Sequence, residues 1–192
     1  VAAIDVHGFV ADLKAHAPEH GFHIHDERHF VETYGMRQTW EIDLHPEDAC
    51  NGPVDLHLAL DVDPRVLLSF EDAVSGLDDD EDPPDTFHVP LLFTWTLPPL
   101  PHPPDLLVLA TELAGIGGAD FPVEVSAIDS FPSVMEAPQR SLSVVARVEV
   151  SLAKIARGDE QLCDVLDTCF AVSDYLLRHA PDWLGEQETG PT

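Results

Sequence analysis

The sequence predicts an α+β protein: an antiparallel sheet with one face covered by the N- and C-terminal helices. Three observations carry this prediction. Residues Trp40 to Asp63 alternate apolar and polar side chains with a period of two. The same alternation returns from Leu142 to Leu152. Both ends of the chain instead place apolar residues three and four apart, the spacing of a helix with one buried face.

The first helix is expected from Ile4 to Ala17, with Val6, Phe9, Val10, Leu13 and Ala17 on one side, Asp5 as N-cap and Pro18 as its end. Gly21 opens a strand-rich part. Phe22 and Ile24 alternate with His23 and His25, and another short strand is expected from His29 to Thr33. Tyr34-Gly35 turns the chain into the strand that holds Trp40. There Trp40, Ile42 and Leu44 alternate with Glu41, Asp43 and His45. After the turn Asn51-Gly52-Pro53, Val54, Leu56, Leu58, Leu60 and Val62 alternate with Asp55, His57, Ala59, Asp61 and Asp63. The pair reads as a hairpin with one apolar face and one acidic, histidine-bearing face.

Asp63 caps a second helix that starts at Pro64, turns Leu67, Phe70 and Val74 inward and stops near Gly76. The acid run Asp78 to Asp85 contains Pro83 and Pro84 and is expected to be an exposed linker. Phe87 to Leu97 is a strand, and the proline-rich stretch from Pro98 to Pro104 is a stiff connector. A short helix carries Leu106, Leu109, Ala110 and Leu113 and ends at Gly115, Gly117 and Gly118. Strands follow at Phe121 to Ile128 and at Leu142 to Leu152. The final helix is capped by Asp159, buries Leu162, Val165, Leu166, Cys169, Phe170, Ser173, Leu176 and Leu177, and is closed by Pro181. Neither half is self-sufficient. The prediction is one domain over residues 1–184, with an acidic and proline-rich insertion at about 77–104 and a flexible tail at 185–192.

Composition narrows the function classes. The chain has 192 residues, 44 % of them hydrophobic, enough for a buried core. Its 36 acidic residues against 9 basic ones give a formal charge of -27, which repels nucleic-acid backbones and anionic membranes. A basic partner, a cation, or an acid-rich proteome that also prefers arginine to lysine accounts for such a balance. Cys50, Cys163 and Cys169 form no CxxC pair, which is reduced, cytoplasmic usage. No apolar run is long enough to span a membrane, and the N-terminus lacks the basic-then-apolar form of a signal peptide. A cytoplasmic protein is expected.

Chemistry-bearing residues concentrate on the hairpin. Coincidence of the two apolar faces requires paired residue numbers with an even sum. A sum of 98 sets Asp43 opposite Asp55 and Glu41 opposite His57; a sum of 100 sets His45 opposite Asp55 and Asp43 opposite His57. Carboxylates and imidazoles become neighbours either way. Zinc and similar ions take such ligands, but His23, His25, His45 and His57 follow no recognised ligand spacing. They are expected to relieve repulsion on a solvated acidic face. The acid run matches a calcium loop at Asp78, Asp80 and Asp82 and fails where Gly and Glu are required, at Pro83 and Val89. Ser151-Leu152-Ala153-Lys154 matches a serine–lysine pattern at what reads as a strand end, without its partner motifs. Gly115-Ile116-Gly117-Gly118 lacks the spacing and lysine of a phosphate loop. No catalytic, cofactor-binding or metal residue is assigned on these grounds, and no cofactor.

A helix, a run of antiparallel strands, a middle helix, two more strands and a long final helix is similar to the type III secretion chaperone-like architecture shared by YbjN-like proteins. The resemblance covers most of the chain as an order of elements, with residues 66–100 departing from it. It implies a small, acidic, often dimeric protein that is not an enzyme. Together these readings predict a non-catalytic protein-binding or chaperone-like protein, engaging another protein with basic or exposed apolar segments. The alternatives are a metal-dependent hydrolase using the Asp/His sheet face and a structural subunit of a larger assembly.

Overall fold

A computed structural model of the chain describes residues 4–78, 81–133, 138–159 and 162–185. In chain order the elements are helix α1 (Val6–His16), strands β1 (Phe22–Val31), β2 (Gln38–Pro46) and β3 (Asp55–Val62), helix α2 (Pro64–Val74), strand β4 (His88–Thr96), helix α3 (Leu106–Gly117), strands β5 (Val123–Ser130) and β6 (Gln139–Ser151), and helices α4 (Leu152–Arg157) and α5 (Leu162–Leu184). The strands form one sheet in the order β1-β2-β3-β4-β6-β5. Every neighbouring pair is antiparallel.

The alternation read from the sequence decides which side is buried. Trp40, Ile42 and Leu44 of β2 lie beside Leu56, Leu58 and Leu60 of β3, then Val89, Leu91, Phe93 and Trp95 of β4, then Leu142, Val144 and Ala146 of β6. Phe9 and Leu13 of α1, Phe70 of α2, Leu109 and Leu113 of α3 and Leu166, Val172 and Leu176 of α5 join them in one cluster. The residues between, such as His57 and Ala59 on β3, Leu92 and Thr94 on β4 and Val145 and Arg147 on β6, are half-buried or exposed. The α+β class and the one-faced sheet are therefore as the sequence predicts. The terminal helices α1 and α5 cover the apolar face with help from α2 and α3.

Four details differ from the sequence reading. The strands expected on either side of Asp26 are a single strand, β1, which pairs with β2 on both sides of a register shift between Ile24 and Asp26. Pro181 does not close the last helix, which runs on to Leu184. Ala180 and Trp183 are buried there, and the Trp183 carbonyl accepts the His102 N–H at 2.9 Å, so tertiary contacts hold the turn past the proline. Leu152 ends no strand but opens α4, because the Ser151 side chain accepts the Lys154 N–H and caps it. The serine–lysine pattern thus lies at a helix start, where the Ser151 hydroxyl also donates to Asp85. That hydrogen bond, with His88, Lys154 and Arg157 nearby, holds the Asp85 carboxyl below its ordinary range against the cost of burial. Finally, β4 lies inside the 77–104 stretch and is a central strand of the sheet. Asp79 and Asp80 of the acid run, the residues just before α5, and 186–192 of the expected tail lie outside the described residues.

The core makes a prediction about the thiols. Cys50 and Cys163 are exposed, whereas Cys169 is fully buried. Burial pushes the Cys169 thiol well above its usual range, with a smaller opposing effect of the hydrogen bond to Ser173. Native protein treated with a disulfide-exchange reagent in the presence of a chelator is expected to titrate Cys50 and Cys163 promptly and Cys169 only on unfolding. Prompt reaction of all three would contradict the packing of α5 on the sheet.

Candidate metal centre

The β2–β3 ladder has the register in which paired numbers sum to 100: Asp43 stands opposite His57 and Leu44 opposite Leu56. His57 Nδ1 donates to Asp43 Oδ1 at 2.7 Å. Arg28 on β1 completes a network, with Nη1 2.6 Å from Asp26, Nε 3.2 Å from Glu41 and Nη2 3.0 Å from Asp43. Burial alone would raise the Asp43 carboxyl, but hydrogen bonds from His57 and Arg28 outweigh it and hold it below the usual range. The Arg28 guanidinium is raised, chiefly by its bond to Glu41 and against some burial. This part of the polar face is balanced, with each acid next to a cation or an imidazole.

One end of the same face is different. His23 of β1 pairs directly with His45 of β2. Ile24 pairs with Leu44, and the next pair is Asp26 with Asp43, so His25 is the extra residue of a β-bulge. Bulges re-aim the side chain that they carry. Here the bulge brings His25 against its neighbours, and His45 Nε2 faces His25 Nε2. The ring centroids stand 5.1 Å apart for His23 and His25, 5.1 Å for His23 and His45, and 4.0 Å for His25 and His45. One ring nitrogen from each of the three lies within 4.8 Å of the others.

The loop after β2 closes the end of the cluster. A single 3-10 turn, Glu47–Ala49, is followed by Cys50, by Asn51 in the left-handed region at φ 73°, and by Gly52, whose N–H donates to the Ala49 carbonyl at 2.8 Å. The Glu47 N–H donates to the Gly21 carbonyl at 2.9 Å, which ties this loop to the start of β1. Gly21 itself has φ 79° and sits so close to the Phe170 ring that a side chain would collide with it. The result places the Cys50 Sγ 3.9 Å from His23 Nδ1 and 3.9 Å from His45 Nδ1.

The electrostatic situation of His45 is unusual for a buried imidazole. It is 7 % exposed, and its two nitrogens face another imidazole and a thiol instead of a carboxylate. Converging lone-pair donors of this kind are what zinc, copper or nickel take as ligands. A cleft of ≈ 450 Å³ borders the cluster, lined in part by His25, His45, Asp43, Asp55 and His57. His57 was grouped with the other three histidines in the sequence. The structure separates it, since its nearest polar partner is Asp43. His29, by contrast, stacks on Trp40 at 4.3 Å with His7 edge-on, apart from the three.

Two features escaped the sequence. The bulge has a faint signature: apolar alternation on even numbers, Phe22 and Ile24, breaks off at Asp26-Glu27-Arg28, where the strand changes phase. Cys50 had no signature, since it reaches the histidines only through the fold of its loop. Compared with models of protein families, with curated proteins and with solved structures, the chain matches none of them.

Proposed function

We propose that this protein binds a divalent transition-metal ion through His23, His25 and His45. The observation that carries the reading is the convergence of three imidazoles from two paired strands, one of them buried, within 4.8 Å. Nitrogen ligands at zinc lie about 2.0–2.1 Å from the ion, so tetrahedral neighbours stand about 3.4 Å apart. Side-chain rotation has to bring the three nitrogens from within 4.8 Å of one another to that spacing. Imidazole ligands favour zinc, copper or nickel over magnesium and calcium, which prefer oxygen. The distinction matters in a chain with 36 acidic residues, whose carboxylates attract any cation weakly. The test is elemental analysis of protein prepared without an affinity tag, followed by zinc titration in excess magnesium. One zinc per chain that magnesium does not displace is expected. Uptake that magnesium abolishes would assign the binding to surface acids and refute the reading.

A second reading keeps the protein-binding, chaperone-like role. The distal half of the β1–β2 hairpin carries Phe30, Val31, Tyr34 and Met36, all at least half exposed. Apolar groups gathered at the turn end of an edge hairpin suit a protein partner with apolar segments. The expected outcome is that a partner captured by the wild-type chain is lost when Tyr34 and Met36 are both changed to serine. Equal capture by the variant would remove the hairpin from the interface.

A further inference from the structure

The three histidines leave a tetrahedral ion one ligand short. We infer that Cys50 supplies the fourth, closing the site as three nitrogens and one sulfur. This inference rests on the metal-binding reading above and deepens it, because a closed site holds its ion, whereas an open position is what a metal hydrolase needs for water.

Distance supports the assignment. Thiolate sulfur lies about 2.3 Å from zinc and imidazole nitrogen about 2.0–2.1 Å, which gives a tetrahedral N···S edge of about 3.6 Å. Cys50 Sγ is 3.9 Å from both His23 Nδ1 and His45 Nδ1, a few tenths of an ångström outside that edge. Its other polar contact is donation to the Glu47 carbonyl at 3.3 Å, and a thiol is a weak donor, so little is given up on ligation. A single ion takes one nitrogen of His45, because the lone pairs of Nδ1 and Nε2 point to opposite sides of the ring; the Cys50 contact selects Nδ1, and His25, which faces Nε2, is the ring that turns to complete the set. Cys50 is exposed, in the loop between β2 and β3. Ligation removes the thiol proton to solvent, and the sulfur binds as thiolate.

Cobalt distinguishes the possibilities, since it occupies zinc sites and reports its ligands by absorption. Reduced full-length protein is titrated with cobalt alone. A tetrahedral visible spectrum together with a thiolate-to-cobalt charge-transfer band is expected. In Cys50→Ser the band disappears and affinity falls by at least the roughly 10–100-fold that even outer partners of metal ligands cost. A visible spectrum that His23→Ala abolishes, without any charge-transfer band in the wild type, would overturn the role of Cys50 and leave the three-histidine site standing. No cobalt uptake would overturn both. Alkylation of the wild-type chain gives a check that needs no variant. Bound zinc should protect Cys50 while exposed Cys163 reacts as before. Equal alkylation of the two with and without zinc would contradict ligation.

Discussion

Replacing His45 with alanine is expected to weaken zinc binding by more than about 100-fold while the far-ultraviolet circular dichroism stays that of the wild type. His45 is the central ligand in the proposed site. It pairs with His23 across the β1–β2 ladder, faces His25 through Nε2 and faces Cys50 through Nδ1. Its loss therefore removes the group that the other three donors share. The backbone pairing of β1 with β2 does not depend on its side chain, so the strands remain. His57→Ala is the matched control. It lies on the same face and is also an imidazole beside carboxylates, but it is bonded to Asp43 rather than to the cluster. Zinc affinity should be little changed in that variant. If both substitutions reduce uptake alike, binding comes from the general acidity of the face and not from the three histidines.

Trp95→Ala is expected to destabilise the fold by about 3–5 kcal/mol, the range for emptying a buried aromatic site. Trp95 is on central strand β4, is fully buried, and has Phe93 and Phe121 within 6.3 Å. Its indole N–H donates at 2.8 Å to Ser173 on α5, whose hydroxyl donates in turn to the Cys169 carbonyl at 2.9 Å. This chain ties the middle of the sheet to the long helix. Ser173→Ala separates packing from polarity: it removes only the hydroxyl oxygen, leaves the buried indole N–H without an acceptor, and should cost about 1–3 kcal/mol. Urea unfolding of the three proteins measures both. A cost below about 1 kcal/mol for Trp95→Ala would mean that the stretch around β4 is not built into the core.

The burial pattern of the sheet was legible because alternation is a local property. Trp40, Ile42, Leu44 and the apolar residues of β3 could face one core only in an even register, and the register found, with paired numbers that sum to 100, obeys this rule. Helix starts at Asp5 and Asp63 follow from side chains that accept nearby backbone N–H groups. What the sequence did not disclose depends on contacts far along the chain. Pro181 is carried inside α5 by buried neighbours that outweigh the lost hydrogen bond. The pairing of β1 with β2 brings His23 to His45 over a separation of 22 positions in the printed chain, and a single extra residue sets the aim of His25. Histidines with no ligand spacing in sequence can still converge when a bulge and a loop assemble them. The acid run Asp78 to Asp85, the more conspicuous cation motif on paper, contributes none of the three clustered ligands.

The most direct measurement is a crystal of the full chain soaked in zinc, with diffraction recorded on both sides of the zinc absorption edge. The predicted result is one strong anomalous peak per chain between the ring nitrogens of His23, His25 and His45. Peaks confined to surface carboxylates, with none at these three histidines, would contradict the proposed function.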